Sequence, residues 1–318
     1  MDFDNRKNGQ HLSSQTHKFN ACCQAAALGE SFGMPAEGLS PSEIRSQYGV
    51  IDTLTDRRES DALYELPAGS TAKQTEALLA ILKASDPLPD LQTFAFNVKD
   101  AYNRHPAKWP KATTFPWPPF PDGGHYSLAF AVPAAWQLSQ KQVDVKQLGT
   151  WLTSLEPVSV VWQQGVWVYL RMLDWLFGLV PPEFDRSVCL KKIAQYIDEA
   201  ERLFPNEFKL RRRMQLIDPV LNESPEKISK VCGDVSSDAE NILAFTGAVF
   251  YRHPHNFKQA LTEAANAGGS AEAVSFYVGS LLGALHGKEV LPEEWMNHLL
   301  EKKRIEDEVE HYRKILSV

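Results

Sequence analysis

Apolar residues recur at helical spacing along almost the whole chain, and the period-two alternation of strands is nearly absent. The stretch FNACCQAAALGESFGMP predicts a helix rich in small residues that stops at Gly33 and Pro35, a terminator pair. Its alanines and glycines leave room for a second helix to pack closely. STAKQTEALLAILKAS predicts another helix, with Thr71 and Gln74 at the Thr-x-x-Gln spacing of a capping box ahead of Leu78, Leu79 and Leu82. Further helical patterns cover about 91–104, 143–155, 158–178, 186–203, 237–250, 256–267, 271–286 and 292–314. The expected fold is all-α, a single compact multi-helix bundle over 19–318 preceded by a polar N-terminal extension, 1–18.

Composition narrows the function classes. A hydrophobic content of 43% in 318 residues is enough for one large core. The net charge of −7 argues against a nucleic-acid partner, because phosphate neutralisation needs a basic face and the one basic cluster, Arg211 to Arg213, reads as a solvated surface. The longest apolar run, Val158 to Val180, is interrupted by Gln163, Gln164, Arg171 and Asp174, which a bilayer would penalise, so a buried core helix is expected and no membrane span. The first eighteen residues have no apolar signal-peptide core, and Cys22, Cys23, Cys189 and Cys232 form no disulfide framework. A cytoplasmic location with buried, reduced thiols is the expectation.

One segment breaks the helical pattern. In HPAKWPKATTFPWPPFPDGG, six prolines exclude helix and interleave with Trp109, Phe115, Trp117 and Phe120. Such an aromatic loop serves as a packed cover, as a polyproline segment offered to a protein partner, or as a lid over a pocket. Elsewhere, His253 and His255 are split by Pro254 with no carboxylate or cysteine at a useful spacing, and no Gly-x-Ser-x-Gly nucleophile elbow occurs.

The stretch GGSAEAVSFYVGSLLGALHG, with LPEEW just after it, resembles the ADP-ribosylglycohydrolase family, whose pattern here is Gly-Gly-Asp-Thr-Asp-Thr at a helix start. Other stretches follow in the family's order. ALGESFGMPAEGLSPSEIRSQYG is similar to its opening Gly-Asp-Ala-Leu-Gly helix end, and AGSTAKQTEALLAILKAS to its Thr-Asp-Asp-Thr-Gln helix head. DGGHYSLAFAVPAAW resembles its Gly-Asn-Gly loop, and LTSLEPVSVVW its Thr-His-x-x-Pro turn. The resemblance spans roughly Phe19 to Leu300 and implies an all-helical fold with a cleft on one face.

Family members hydrolyse glycosidic bonds of ADP-ribose with a pair of magnesium ions, a chemistry that needs several hard carboxylate ligands at one spot. Carried over position by position, the resemblance puts Ala72 and Lys73 where two aspartates belong, and Ser270, Glu272 and Ala273 for Asp, Asp and Thr. Glu30 stands for the helix-end aspartate of the opening motif. The magnesium pair is therefore expected to be absent, leaving no cofactor, with Glu30 and Glu272 as the only catalytic candidates. A Lys73–Glu272 ion pair is expected in the metals' place, and Lys73 is expected to depress the Glu272 pKa. Ser270 is expected to cap the helix that begins at Ala271. The ligand cleft so implied comprises Thr71, Lys73, Gln74, Asp122, Gly123, Gly124, His125 and Ser270, with the two glycines still able to offer amides to a diphosphate and Asp122 opposing one. The function expected is that of a pseudoenzyme that binds a protein partner or an ADP-ribose-like ligand. The alternative is a metal-independent hydrolase of an ADP-ribosyl or related N- or O-glycosidic bond.

Overall fold

The computed structural model describes residues 3–60, 62–84, 88–111, 125–154 and 159–316, and at 3–16, 91, 94, 95 and 125–127 the backbone alone. Fifteen α-helices occur among the described residues, and no strand; two isolated bridges, Arg57 with Leu66 and Leu63 with Pro110, are the sole extended pairings there. The helices are α1 (Phe3–Gly33), α2 (Pro41–Tyr48), α3 (Lys73–Leu82), α4 (Leu91–Arg104), α5 (Ala131–Ser139), α6 (Val145–Ser154), α7 (Val160–Gly178) and α8 (Arg186–Leu203). They continue as α9 (Lys209–Ile217), α10 (Pro225–Val231), α11 (Ala239–Arg252), α12 (Phe257–Asn266), α13 (Ala271–His286), α14 (Glu293–His298) and α15 (Lys302–Leu316). The all-α expectation holds.

At the centre, α1 packs along α13, which is buried on every side from Ala271 to Leu285. The small residues make this contact possible. A Cβ on Gly279 would stand 2.2 Å from the Ala25 carbonyl oxygen, so the two backbones meet where only glycine fits. Helices α11 and α12 cover other faces of α13, and α7 packs against α5 and α8. The interrupted apolar run is indeed a core helix: α7 is buried from Trp162 to Leu170, and its amides are satisfied inside the protein. Gln164 Nε2 donates to the carbonyls of Phe204 (2.7 Å) and Glu207 (2.9 Å), and Gln163 Nε2 to that of Leu152 (3.1 Å). No helix among the described residues is long and apolar enough to cross a membrane. All four cysteines are free and buried, and burial pushes the thiols of Cys189 and Cys232 up to about 12.

Three boundaries differ from the sequence expectation. Helix α1 starts at Phe3, not near Phe19, because a polar sequence can be helical without any apolar stripe to announce it. Helix α2 went unread, although Ser40 and Glu43 carry a Ser-x-x-Glu capping box that the structure forms on both sides. The single helix expected over 292–314 is two. The Leu300 amide leaves the helical ladder to donate to the Gly69 carbonyl at 3.0 Å, and the break turns Glu301 inward.

Candidate functional site

The turn before α13 sets the geometry. Gly269, with φ at +62°, occupies the left-handed region, and a Cβ there would lie 2.4 Å from the Val235 carbonyl oxygen. Its amide donates to the Leu39 carbonyl at 2.9 Å, and its own carbonyl accepts the Gly38 amide at 2.8 Å. This pinning carries Glu37, which follows the turn Met34–Ala36 at the end of α1, to the start of α13. Glu37 Oε2 accepts the Glu272 amide at 3.0 Å. Ser270 makes no capping bond, so the helix is capped by a distant carboxylate and the Ser270 expectation is corrected. Its φ of −80° and ψ of 48° are unlike the extended backbone of an N-cap residue whose hydroxyl reaches back to the first turn.

Helix α3 is capped in the same manner from α1. Glu30 is fully buried; its Oε2 accepts the amides of Ala72 (2.9 Å) and Thr75 (3.1 Å), and its Oε1 that of Gln74 (2.6 Å). The Thr71–Gln74 capping box does not form, because the N-cap position falls on Ala72 and Glu30 already occupies the open amides. Gln74 Oε1 instead accepts the Tyr277 hydroxyl at 3.3 Å.

Between the two caps lies Lys73. Its Nζ stands 2.7 Å from Glu272 Oε1 and 3.0 Å from Glu37 Oε1, in a residue only 5% exposed. Arg57 Nη1 reaches Glu272 Oε2 at 3.6 Å, while its Nε and Nη2 donate to the carbonyls of Tyr64 (2.9 Å) and Ala107 (3.2 Å). A second ionic node sits beside the first. Lys108 Nζ contacts Glu301 Oε1 (2.5 Å), Glu76 Oε1 (2.7 Å) and Thr71 Oγ1 (3.1 Å). Arg304 binds both oxygens of Glu76, at 2.7 and 2.8 Å.

Burial dominates the proton affinities at the first node. It raises Glu30 to about 8, with the neighbouring Glu272 adding to the shift and the amides of α3 opposing it. Glu272 is also raised, by burial first; Lys73 and Arg57 pull it down, as the sequence suggests for Lys73, but do not reverse the desolvation. The expectation of a depressed Glu272 is thus corrected. At the second node burial pushes Glu76 up, but Arg304 and Lys108 together outweigh it and hold Glu76 below the usual range.

The structure therefore brings together Glu30, Thr71, Lys73, Gln74, Ser270 and Glu272, all buried. Glu37, Arg57, Glu76, Lys108, Glu301 and Arg304 join them, and sequence reasoning missed all six. Glu37 lies in the same ALGESFGMPAEG stretch that carries the family resemblance, so an acid was in view there. For Arg57, in an isolated bridge, and Lys108, in the short turn Pro106–Lys108, no local pattern signals burial. Trp109 is 2% exposed and packs edge-on against Tyr102 at 6.0 Å, so its indole is no surface anchor for a partner. Phe115, Trp117, Phe120, Asp122, Gly123 and Gly124 lie outside the described residues, and His125 is described by its backbone alone, at the start of the turn His125–Phe130. His253 does meet a carboxylate, Glu263 of α12, at 2.6 Å, a partner that linear spacing hid.

A magnesium pair does not fit these residues. Among the described residues, no group of three histidine, cysteine, aspartate or glutamate side chains is arranged to hold a metal ion. The carboxylates of Glu37, Glu272, Glu76 and Glu301 are each already engaged by a cation of the chain itself.

An all-helical protein in which one central helix starts at a Gly-Gly turn and another just after Thr71 is the architecture that the sequence resemblance implied. The sequence profile of the ADP-ribosylglycohydrolase family matches residues 121–317, and the chain belongs to that family. A solved structure described as an ADP-ribosylglycohydrolase-related protein complex is similar in fold, with a TM-score of 0.66 at 17% identity over 96% of this chain and 99% of that one. No curated protein matches the chain.

Proposed function

We propose that the chain is a non-hydrolytic member of the family, which keeps the helical scaffold and acts by binding a protein or an ADP-ribosyl-type ligand in a regulatory or antagonist role. The observation that carries this reading is the buried Lys73 ammonium, 2.7 Å from Glu272 and 3.0 Å from Glu37, at the position where a divalent cation would need bare carboxylates. A fixed ammonium repels a second cation and leaves those carboxylates nothing to activate. Purified protein incubated with ADP-ribosylated arginine, serine and thymidine, with and without magnesium, should release no free ADP-ribose.

One observation favours the alternative, a metal-independent hydrolase. Glu30, raised to about 8, holds a proton at neutral pH beside a second carboxyl group, Glu272, and such a pair suits general acid catalysis of glycoside hydrolysis. Against it, Glu30 is fully buried with both oxygens held by amides of α3. Release of ADP-ribose that disappears in Glu272→Gln would select this reading over the first.

A further inference from the structure

A pocket of about 350 Å³ opens between α2, α10 and α12, and it shares no residue with the two ionic nodes. Its volume lies at the low end of the roughly 300–1,000 Å³ of small-molecule sites, which suits one small metabolite better than a dinucleotide. One wall is fixed in place by Asn266, the last residue of α12. Its Oδ1 accepts the Ile51 amide at 3.0 Å and its Nδ2 donates to the Ile51 carbonyl at 2.8 Å, which ties down the segment leaving α2 through Gly49 and Val50. Pro41, Val50, Pro225 and Ala267 make the walls apolar, and Val50 is 65% exposed. Polar groups stand among them with bonding capacity unspent. Ser229 lines the pocket, is 2% exposed, and has a hydroxyl with no hydrogen-bond partner among the described residues. Buried hydroxyls are rarely left so, and a group from outside the chain is expected to meet this one. Arg45 and Glu226 supply one charge of each sign. Both are exposed, and neither forms an ion pair among the described residues. Glu226 is held below the usual carboxylate range by its own backbone amide, then by the Ser224 hydroxyl and, least, by Arg45. Glu263 also lines the pocket, but Arg252 (2.9 Å) and His253 (2.6 Å) already engage it.

We infer that this pocket binds a free α-amino acid with an apolar side chain. A cation and an anion that line one space without closing on each other present the complement of a zwitterion. The ligand carboxylate meets the Arg45 guanidinium, whose planar fork matches it, and the ligand ammonium meets Glu226. The apolar side chain lies against Val50 and the two prolines, and the Ser229 hydroxyl supplies a donor to the carboxylate. A simple anion would face Glu226 and a simple amine would face Arg45, so like-charge repulsion penalises both. Because the two charged side chains are exposed, each contact is weak, and the affinity expected is ~0.1–1 mM. The inference is independent of whether the protein hydrolyses a bond, since neither Glu30 nor Glu272 lines the pocket.

Calorimetry on the unaltered full chain tests this, with leucine, valine, methionine and phenylalanine as probes. Each is compared with glycine, with its deaminated acid and with its decarboxylated amine. At least one probe should bind saturably, about tenfold or more tighter than glycine or either half-molecule. Arg45→Gln and Glu226→Gln should each weaken that binding about threefold or more, and the two together about tenfold or more. Ser229→Ala should weaken it about threefold, while Lys303→Ala, in an exposed pair with Asp307, should leave it unchanged. The probe comparison needs no variant, so it decides even where a substitution prevents folding. No saturable binding of any probe up to about 20 mM overturns the proposal. Equal binding of the acid or the amine also overturns it, because the pocket is then a site for an anion or a cation. So does binding that survives Arg45→Gln combined with Glu226→Gln, which would place the ligand elsewhere.

Discussion

Lys73 Nζ stands 2.7 Å from Glu272 Oε1, so the first residue of α3 and the second of α13 share one buried charge pair. Breaking such a pair from one side leaves an uncompensated charge in the interior. Lys73→Met should therefore lower stability to urea unfolding by about 3–5 kcal/mol. Lys73→Met combined with Glu272→Leu should cost less than the sum of the two single changes, because the two facing charges leave together, while Arg57 and Glu37 each lose one partner. A cost of the double variant equal to the sum of the two single costs would show that the two residues are not coupled.

The two ionic nodes give opposite pH dependences. Glu30 titrates near 8 in the folded protein against 4.5 in its reference state, so the native fold binds its proton more tightly. Its contribution to stability is fully present below about 4.5 and is lost as pH rises through 8. Glu76 is held below 4.5, so its contribution is present above that pH and is lost as pH falls. Glu30→Gln should flatten the alkaline arm of a stability profile measured by urea midpoint from pH 4 to 9, and Glu76→Gln the acid arm. If both variants keep the wild-type slopes, these carboxyls do not govern the profile.

The α1–α13 contact tolerates no added atom. Gly279→Ala would drive a Cβ to 2.2 Å from the Ala25 carbonyl, so the helices must separate, at a cost of about 3 kcal/mol or more in chemical unfolding. Gly178→Ala, at the open end of α7 with nothing within 4 Å, should change stability by less than about 1 kcal/mol.

The hydrolase assay reads the site directly. No free ADP-ribose is expected from any of the three substrates, and magnesium should change neither that result nor the melting temperature of the wild type. Release that depends on magnesium would show that the ion displaces Lys73 from its carboxylates.

The helices were legible because their signals are local. Apolar spacing located α4, α7, α8 and α13 to within a few residues, and the small residues of α1 announced a close approach by a second helix. The Lys73–Glu272 contact was legible only through the family resemblance, which aligned two distant helix starts. What stayed hidden is non-local. Spacing points to a cap at Thr71 and Gln74 and the family resemblance to one at Ser270, yet the amides are taken by Glu30 and Glu37, which arrive from the end of α1. Linear spacing cannot report such a partner, nor that Arg57 and Lys108, outside every α-helix, are buried counterions. The depressed pKa expected for Glu272 failed because a neighbouring cation is visible in sequence while full burial is not.

The pairing of α1 with α13 also constrains how the chain is made. The ribosome delivers α1 first and α13 roughly 250 residues later, which at about 5–20 residues per second leaves α1 waiting on the order of 10–50 s. Through that interval the surface that α13 will cover, with Ala25 and Gly29 at its centre, has no partner. A nascent chain of this kind is exposed to misassociation until its last third emerges, and its yield should depend on chaperones that shield an early, unpaired helix.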